Sequence, residues 1–214
     1  MPDVRNLQLF VIAAIALAVT PGPAVLYVVT RSITQGRTAG VVSCFGITLG
    51  GFVHVLAAAL GVSAALATSA LAFTVVKYAG AAYLVWLGVR AFMKKPQIAR
   101  IEQSEPRSLL RIFRDGVVVN ILNPKTALFF LAFIPQFVTA SRGDIPLQCA
   151  FLGGLFVLIA FCTDVTWSLV ASGAGAWLRG HPRFVASERY VAGSVYLTLG
   201  LTAAFSGNPS TRSS

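Results

Sequence analysis

Apolar residues run along this chain in six blocks, over 7–29, 41–66, 71–93, 116–140, 147–172 and 190–206, with polar and basic residues gathered between them. A helix needs roughly 20 apolar residues to cross a bilayer; five blocks meet that length and the last, the shortest, falls just below it. The pattern predicts an all-α integral membrane protein with six transmembrane helices. Two blocks are interrupted, the first by Thr20-Pro21-Gly22-Pro23 and the fourth by Asn123-Pro124-Lys125. Pro21 and Pro23 have no N–H, so the carbonyls of Leu17 and Val19 lose their helical donors, and Gly22 adds slack. In hydrocarbon such carbonyls are tolerated only where protein, water or a ligand satisfies them. Broken helices at corresponding places in two halves of a chain point to a transport site.

Three helices per half is an odd number, so a duplicated half is inverted in the membrane. Pro21 and Pro124 are 103 residues apart, as are Gly50 and Gly153, and Gly51 and Gly154. The offset fails at the third and sixth blocks, which leaves two inverted three-helix repeats, with helices 1 and 4 broken, as an expectation. Gly46 and Gly50 form a G-x-x-x-G, and with Gly51, Gly153 and Gly154 they are expected to let helices approach closely.

Composition agrees with the pattern. Apolar residues make up 56% of the 214 and charged residues 11%, against about 25% charged in soluble domains, and mean hydropathy is +0.77. The blocks leave no room for a soluble domain, so the chain reads as one transporter domain over 1–214. Its halves lie at about 1–93 and 116–206, with a loop at 94–115 and a short tail at 207–214. The net charge of +10 does not indicate nucleic acid, because the cations sit in the connections. One side carries Arg31, Arg37, Arg90, Lys94, Lys95, Arg100, Arg107, Arg111, Arg114, Arg179, Arg183 and Arg189; the other carries Arg5, Arg142 and Arg212. The positive-inside rule makes the 94–115 loop cytoplasmic and puts both termini outside. Ala16-Leu17-Ala18 resembles a signal cleavage site, but the apolar run resumes from Ala24 to Val29, and the segment reads as a retained span. Cys44, Cys149 and Cys162 are isolated in apolar blocks with no C-x-x-C, so neither a metal nor a cofactor is expected and packing is their reading.

Within the blocks the ionisable residues are His54, Lys77, Arg90, Lys125 and Asp164. An aspartate at mid-helix costs about 2.5–3.5 kcal/mol on insertion scales, which marks Asp164 as functional and interior-facing. It lies about 12 Å from the cytoplasmic end of its helix at helical rise. Lys125 and Pro21 lie at similar depth, so features of helices 1, 4 and 5 converge on one level. Lys125 either snorkels to the headgroups or meets a substrate carboxylate, and it is a candidate to neutralise Asp164. His54 is either hydrogen-bonded packing or a proton relay. Arg90 snorkels, and Lys77 reads as structural.

The motifs resemble those of the LysE/RhtB amino-acid exporters. Pro21-Gly22-Pro23, Gly36-Arg37-Thr38-Ala39-Gly40 and Gly46…Gly50 are similar to that family's N-terminal signature. Lys77-Tyr78-Ala79-Gly80-Ala81-Ala82-Tyr83-Leu84…Gly88 resembles its third helix. Asn120…Asn123-Pro124-Lys125 with Phe133-Ile134-Pro135-Gln136-Phe137 resembles its fourth, and Asp164…Trp167 its fifth. Ala24 departs from the Asn that usually follows the family's Pro-Gly-Pro, removing a polar contact. The resemblance implies proton-coupled export of amino acids or close derivatives across the bacterial cytoplasmic membrane; Pro21, Gly22, Pro23, Ala24, Asn120, Asn123, Pro124, Lys125, Asp164 and His54 are the candidates for the substrate and ion pathway. Its partners are then substrate, protons and lipid, and a homo-oligomer is compatible with it. The alternatives are a membrane redox protein, which needs two juxtaposed cysteines, and a passive channel. G-x-x-x-x-G-K-[ST], H-E-x-x-H and G-x-S-x-G are all missing from the sequence, so neither ATP hydrolysis nor an enzyme is indicated.

Overall fold

A computed structural model describes residues 4–68, 107–139 and 143–180, with isolated helical positions between 78 and 93 and between 194 and 201. All regular structure among them is helical. The expected third and sixth spans, with Lys77 and Arg90, lie outside the described residues apart from those positions.

Helix α1 (Val4–Val19) stops at the Pro-Gly-Pro break. Pro21 offers no N–H, so the last turn closes on Thr20: its N–H reaches the carbonyls of Ala16 (3.3 Å) and Leu17 (3.2 Å), and its hydroxyl donates back to Ala16 (2.7 Å). Helix α2 (Pro23–Thr68) restarts with a proline at its first position, where a missing N–H costs nothing. At Gly36 the backbone takes φ 82°, ψ −178°, a conformation essentially reserved for glycine, and the chain folds back. Val28 and Cys44 share a buried cluster with Ile47, although a straight helix would hold the first two about 24 Å apart. A methyl group on Gly40 would land on the Ser32 hydroxyl. Residues 23–35 thus run on from the first break as one limb of α2, and residues 37–68 fold back against them as the other.

Helix α3 (Leu109–Ile121) begins at Ser108, whose hydroxyl accepts from the Arg111 N–H (3.4 Å). A second break follows. Asn123 caps the five-residue helix α4 (Pro124–Leu128) by accepting the Lys125 N–H (3.1 Å), with Pro124 again at the first position. The winding then widens to a π turn over Phe129–Phe133 and tightens to a 3-10 turn over Ile134–Phe137. Pro135 explains the change, because it cannot donate to the carbonyl four residues back. Helix α5 (Ile145–Gly180) completes the described bundle, and Gln148 ties its start to the preceding turn through both N–H and carbonyl of Thr139 (3.0 and 3.1 Å).

Pro23–Gly61 and Ile145–Gly173 are each long and apolar enough to cross a membrane. Leu109–Ile121 with Pro124–Phe137, bent by 43°, makes a third if the pair is one span. Three expected boundaries move. The connection at 30–40 is helical except for the bend at Gly36. The helix before the second break starts at Leu109, inside the expected loop. The fifth helix runs to Gly180 rather than to residue 172.

Close approach follows the glycines. A methyl on Gly46 would overlap the Phe113 carbonyl, and one on Gly50 would sit 2.6 Å from the Val117 carbonyl. Gly51 meets Val157 and Asn120, and Gly153 meets Phe130 and Val55. At Gly154 nothing among the described residues lies within 4 Å of an added methyl. The core on one side of these contacts is aromatic, with Phe10, Phe129, Phe130, Phe133 and Phe156 buried together and the rings of Phe129 and Phe156 stacked at 4.3 Å.

Candidate functional site

The two breaks meet. Lys125, only 7% exposed, donates through Nζ to the carbonyl of Thr20 (2.5 Å). The ammonium of one interrupted helix therefore satisfies a carbonyl at the interruption of the other, which is what a backbone in hydrocarbon requires.

Asn120 organises the second break. Pro124 removes the helical donor to its carbonyl, which instead takes Nε2 of His54 (2.8 Å) and the Asn123 N–H (3.0 Å). A carbonyl only accepts, so His54 carries its proton on Nε2. The Asn120 side chain donates to the Ile47 carbonyl (2.6 Å) and accepts from the Thr126 hydroxyl (3.0 Å) and, at longer range, the Asn123 amide (3.4 Å). Each is buried, so the cluster is a satisfied polar network rather than a set of loose side chains.

A cavity of about 40 Å³ opens between these groups. Gly22, Ala24, Asn120, Asn123, Lys125 and Asp164 line it, with Gly51, Thr126 and apolar side chains including Val25, Ile47, Phe156 and Val157. Asp164 is 5% exposed, and no donor within hydrogen-bonding distance of its carboxyl is found among the described residues. The charge of Lys125 acts on it. One cavity thus presents a carboxyl, an ammonium, amide groups and an apolar wall. At ~10–15 Å³ per water, it has room for about three waters.

The sequence-predicted pathway residues separate into groups. Six line the cavity; Pro21, Pro23 and Pro124 make the breaks; His54 stands behind Asn120 and supports it. The cysteines are free thiols, with Cys149 in the aromatic cluster, Cys44 buried near Val28, and Cys162 exposed. Sequence reasoning missed Thr20 and Thr126, whose roles depend on a helix break more than on residue type.

Over residues 15–207 the chain matches the LysE type translocator family. It belongs to that family. The translocator is accordingly a transporter and not an enzyme. It is 27% identical over 191 residues to the homoserine/homoserine lactone efflux protein of Salmonella typhimurium (strain LT2), covering 89% of this chain and 92% of that protein. With the leucine efflux protein of Enterobacter sp. (strain 638) it shares 30% over 161 residues, 74% and 75% of the two chains. An uncharacterised membrane protein of Vibrio cholerae is 27% identical over 199 residues, 93% and 96%. No solved structure matches the chain. In this translocator Ala24, the departure from the family's usual Asn, stands on the cavity wall, where an amide would add a polar contact.

Proposed function

We propose that this translocator exports amino acids or close derivatives from the bacterial cytoplasm, coupled to protons, by alternating access. The observation that carries the reading is the Lys125 ammonium seated on the Thr20 carbonyl, on a cavity that also holds Asp164. A zwitterionic amino acid needs an anion for its ammonium and a cation for its carboxylate, and these two groups supply both. The relatives named for homoserine, homoserine lactone and leucine efflux support this substrate class. Asp164 alternates between a protonated form and one paired with an ammonium, exchanging a proton for substrate. The cavity of about 40 Å³ lies between the two breaks, so substrate enters and leaves as the halves rock about them. We place six spans in the membrane as two inverted repeats. The end bearing Arg31, Arg37, Arg107, Arg111 and Arg114 is cytoplasmic and both termini are outside, by the positive-inside rule.

Purified protein reconstituted in liposomes tests this. Under an imposed pH gradient the wild type should move labelled L-homoserine or L-leucine uphill, and Asp164→Asn should abolish the gradient-driven component. Transport of neither amino acid would overturn export. Equal uphill transport by Asp164→Asn would remove Asp164 from the proton step.

A further inference from the structure

Arg31 lies on the 23–35 limb of α2, seven residues beyond Ala24 and hence about 10 Å along the helix from the cavity wall. It is 7% exposed. Its guanidinium sits 5.4 Å from the centroid of the Tyr27 ring, and the Tyr27 hydroxyl donates to the Ile112 carbonyl of α3 (2.8 Å). Nη1 donates to Oε1 of Gln35 (3.1 Å), and Gln35 in turn donates to the Arg107 carbonyl (2.9 Å). The aromatic ring and the amide that hold the guanidinium are therefore both pinned to the backbone at the start of α3. Its Nε is buried and has no hydrogen-bond partner. The Asp115 carboxylate of α3 is taken by Arg107 (2.8 Å), and Arg31 has no ion pair among the described residues.

Buried arginines are ordinarily paired, and an unanswered buried charge is costly. Here the cation is held by its neighbours with Nε unanswered, and Nε is one of the two parallel donors through which a guanidinium takes a carboxylate. We propose that Arg31 is a second substrate site, which receives the carboxylate of an amino acid on its way from the cytoplasm to the cavity. The proposal rests on the exporter reading above. A lipid phosphate would also suit a guanidinium, but Arg31 is enclosed between the 23–35 limb and α3 by Tyr27 and Gln35, a position that favours a solute.

The test uses the full-length protein in liposomes, with substrate offered at the cytoplasmic face. The probes are L-leucine and L-homoserine, against leucinamide and homoserine lactone, which lack the carboxylate. Arg31→Gln should raise KM for the two acids about tenfold and leave kcat within twofold, with the carboxylate-free probes unchanged. Arg31→Lys, which keeps the charge and loses the fork, should fall between and guards against a misfolded Gln variant. The proposal is overturned if KM for the acids does not change, or if the amide and lactone suffer equally, as a purely structural arginine requires. It is also overturned if the effect disappears in liposomes without anionic lipid, which would assign the site to a headgroup. A wild type that moves none of the probes overturns the exporter reading and this proposal together; a wild type that works and is indifferent to Arg31 overturns this proposal alone.

Discussion

The ammonium of Lys125 ends on a carbonyl that the first break leaves outside any helix, and the same side chain lends its charge to Asp164. Removing one member of such a buried arrangement leaves the others uncompensated, a loss of about 3–5 kcal/mol for a broken buried pair. Lys125→Met should therefore sharply reduce the amount of folded protein in the membrane. Adding Asp164→Asn should restore abundance without restoring export. Fluorescence-detected chromatography of tagged variants measures abundance, and additive losses in the double variant would show that the two groups act separately. From sequence, helical rise converts residue number into distance and gives Lys125 and Asp164 similar depths; the two line one cavity. Depth alone left open whether Lys125 snorkels or turns inward, since that depends on an acceptor contributed by Thr20, 105 positions away. Arg31 was read only as a topology signal. The aromatic four residues before it and the glutamine four after were visible, but their anchors on α3 were not.

Two glycines expected to let helices approach differ in their described surroundings. Gly46 faces the Phe113 carbonyl and the backbone of Gly116, whereas Gly154 has nothing among the described residues within 4 Å of an added methyl. Gly46→Ala should force α2 from α3 and lower the thermal midpoint in detergent by several degrees. Gly154→Ala should be neutral or stabilising by up to about 1 kcal/mol, since alanine is the better helix former. A Gly154→Ala midpoint as low as that of Gly46→Ala would show that an unseen neighbour crowds it. The existence of the described helices was legible from hydropathy, and both breaks were legible from proline alone. The early start of α3 was hidden because Arg107, Arg111, Arg114 and Asp115 read as a polar loop. At helical spacing they leave Ile112, Gly116 and Asn120 free to be buried together. The fold-back at Gly36 was similarly masked, since a single glycine reverses the chain where a longer connection was expected.

Across the whole molecule, the bend at Gly36, the start of α3 and their arginines lie at one end, joined by the Gln35–Arg107 contact. Reporter fusions near Gln103 should therefore report the cytoplasm, and fusions after Ala140 and after Ser206 the outside. A cytoplasmic reporter after Ser206 would reduce the chain to an odd number of spans. The cavity at the centre has a cost-free benefit for the cell that hosts it. About three waters in single file reach some 9 Å at the ~3 Å separation of hydrogen-bonded oxygens, against a hydrocarbon layer of about 30 Å. The cavity lined by the described residues is thus much shorter than the layer that a wire of water carrying protons would have to cross. For an exporter of the kind proposed, a water-filled space this short means that resting copies crowded into a membrane leave its potential standing.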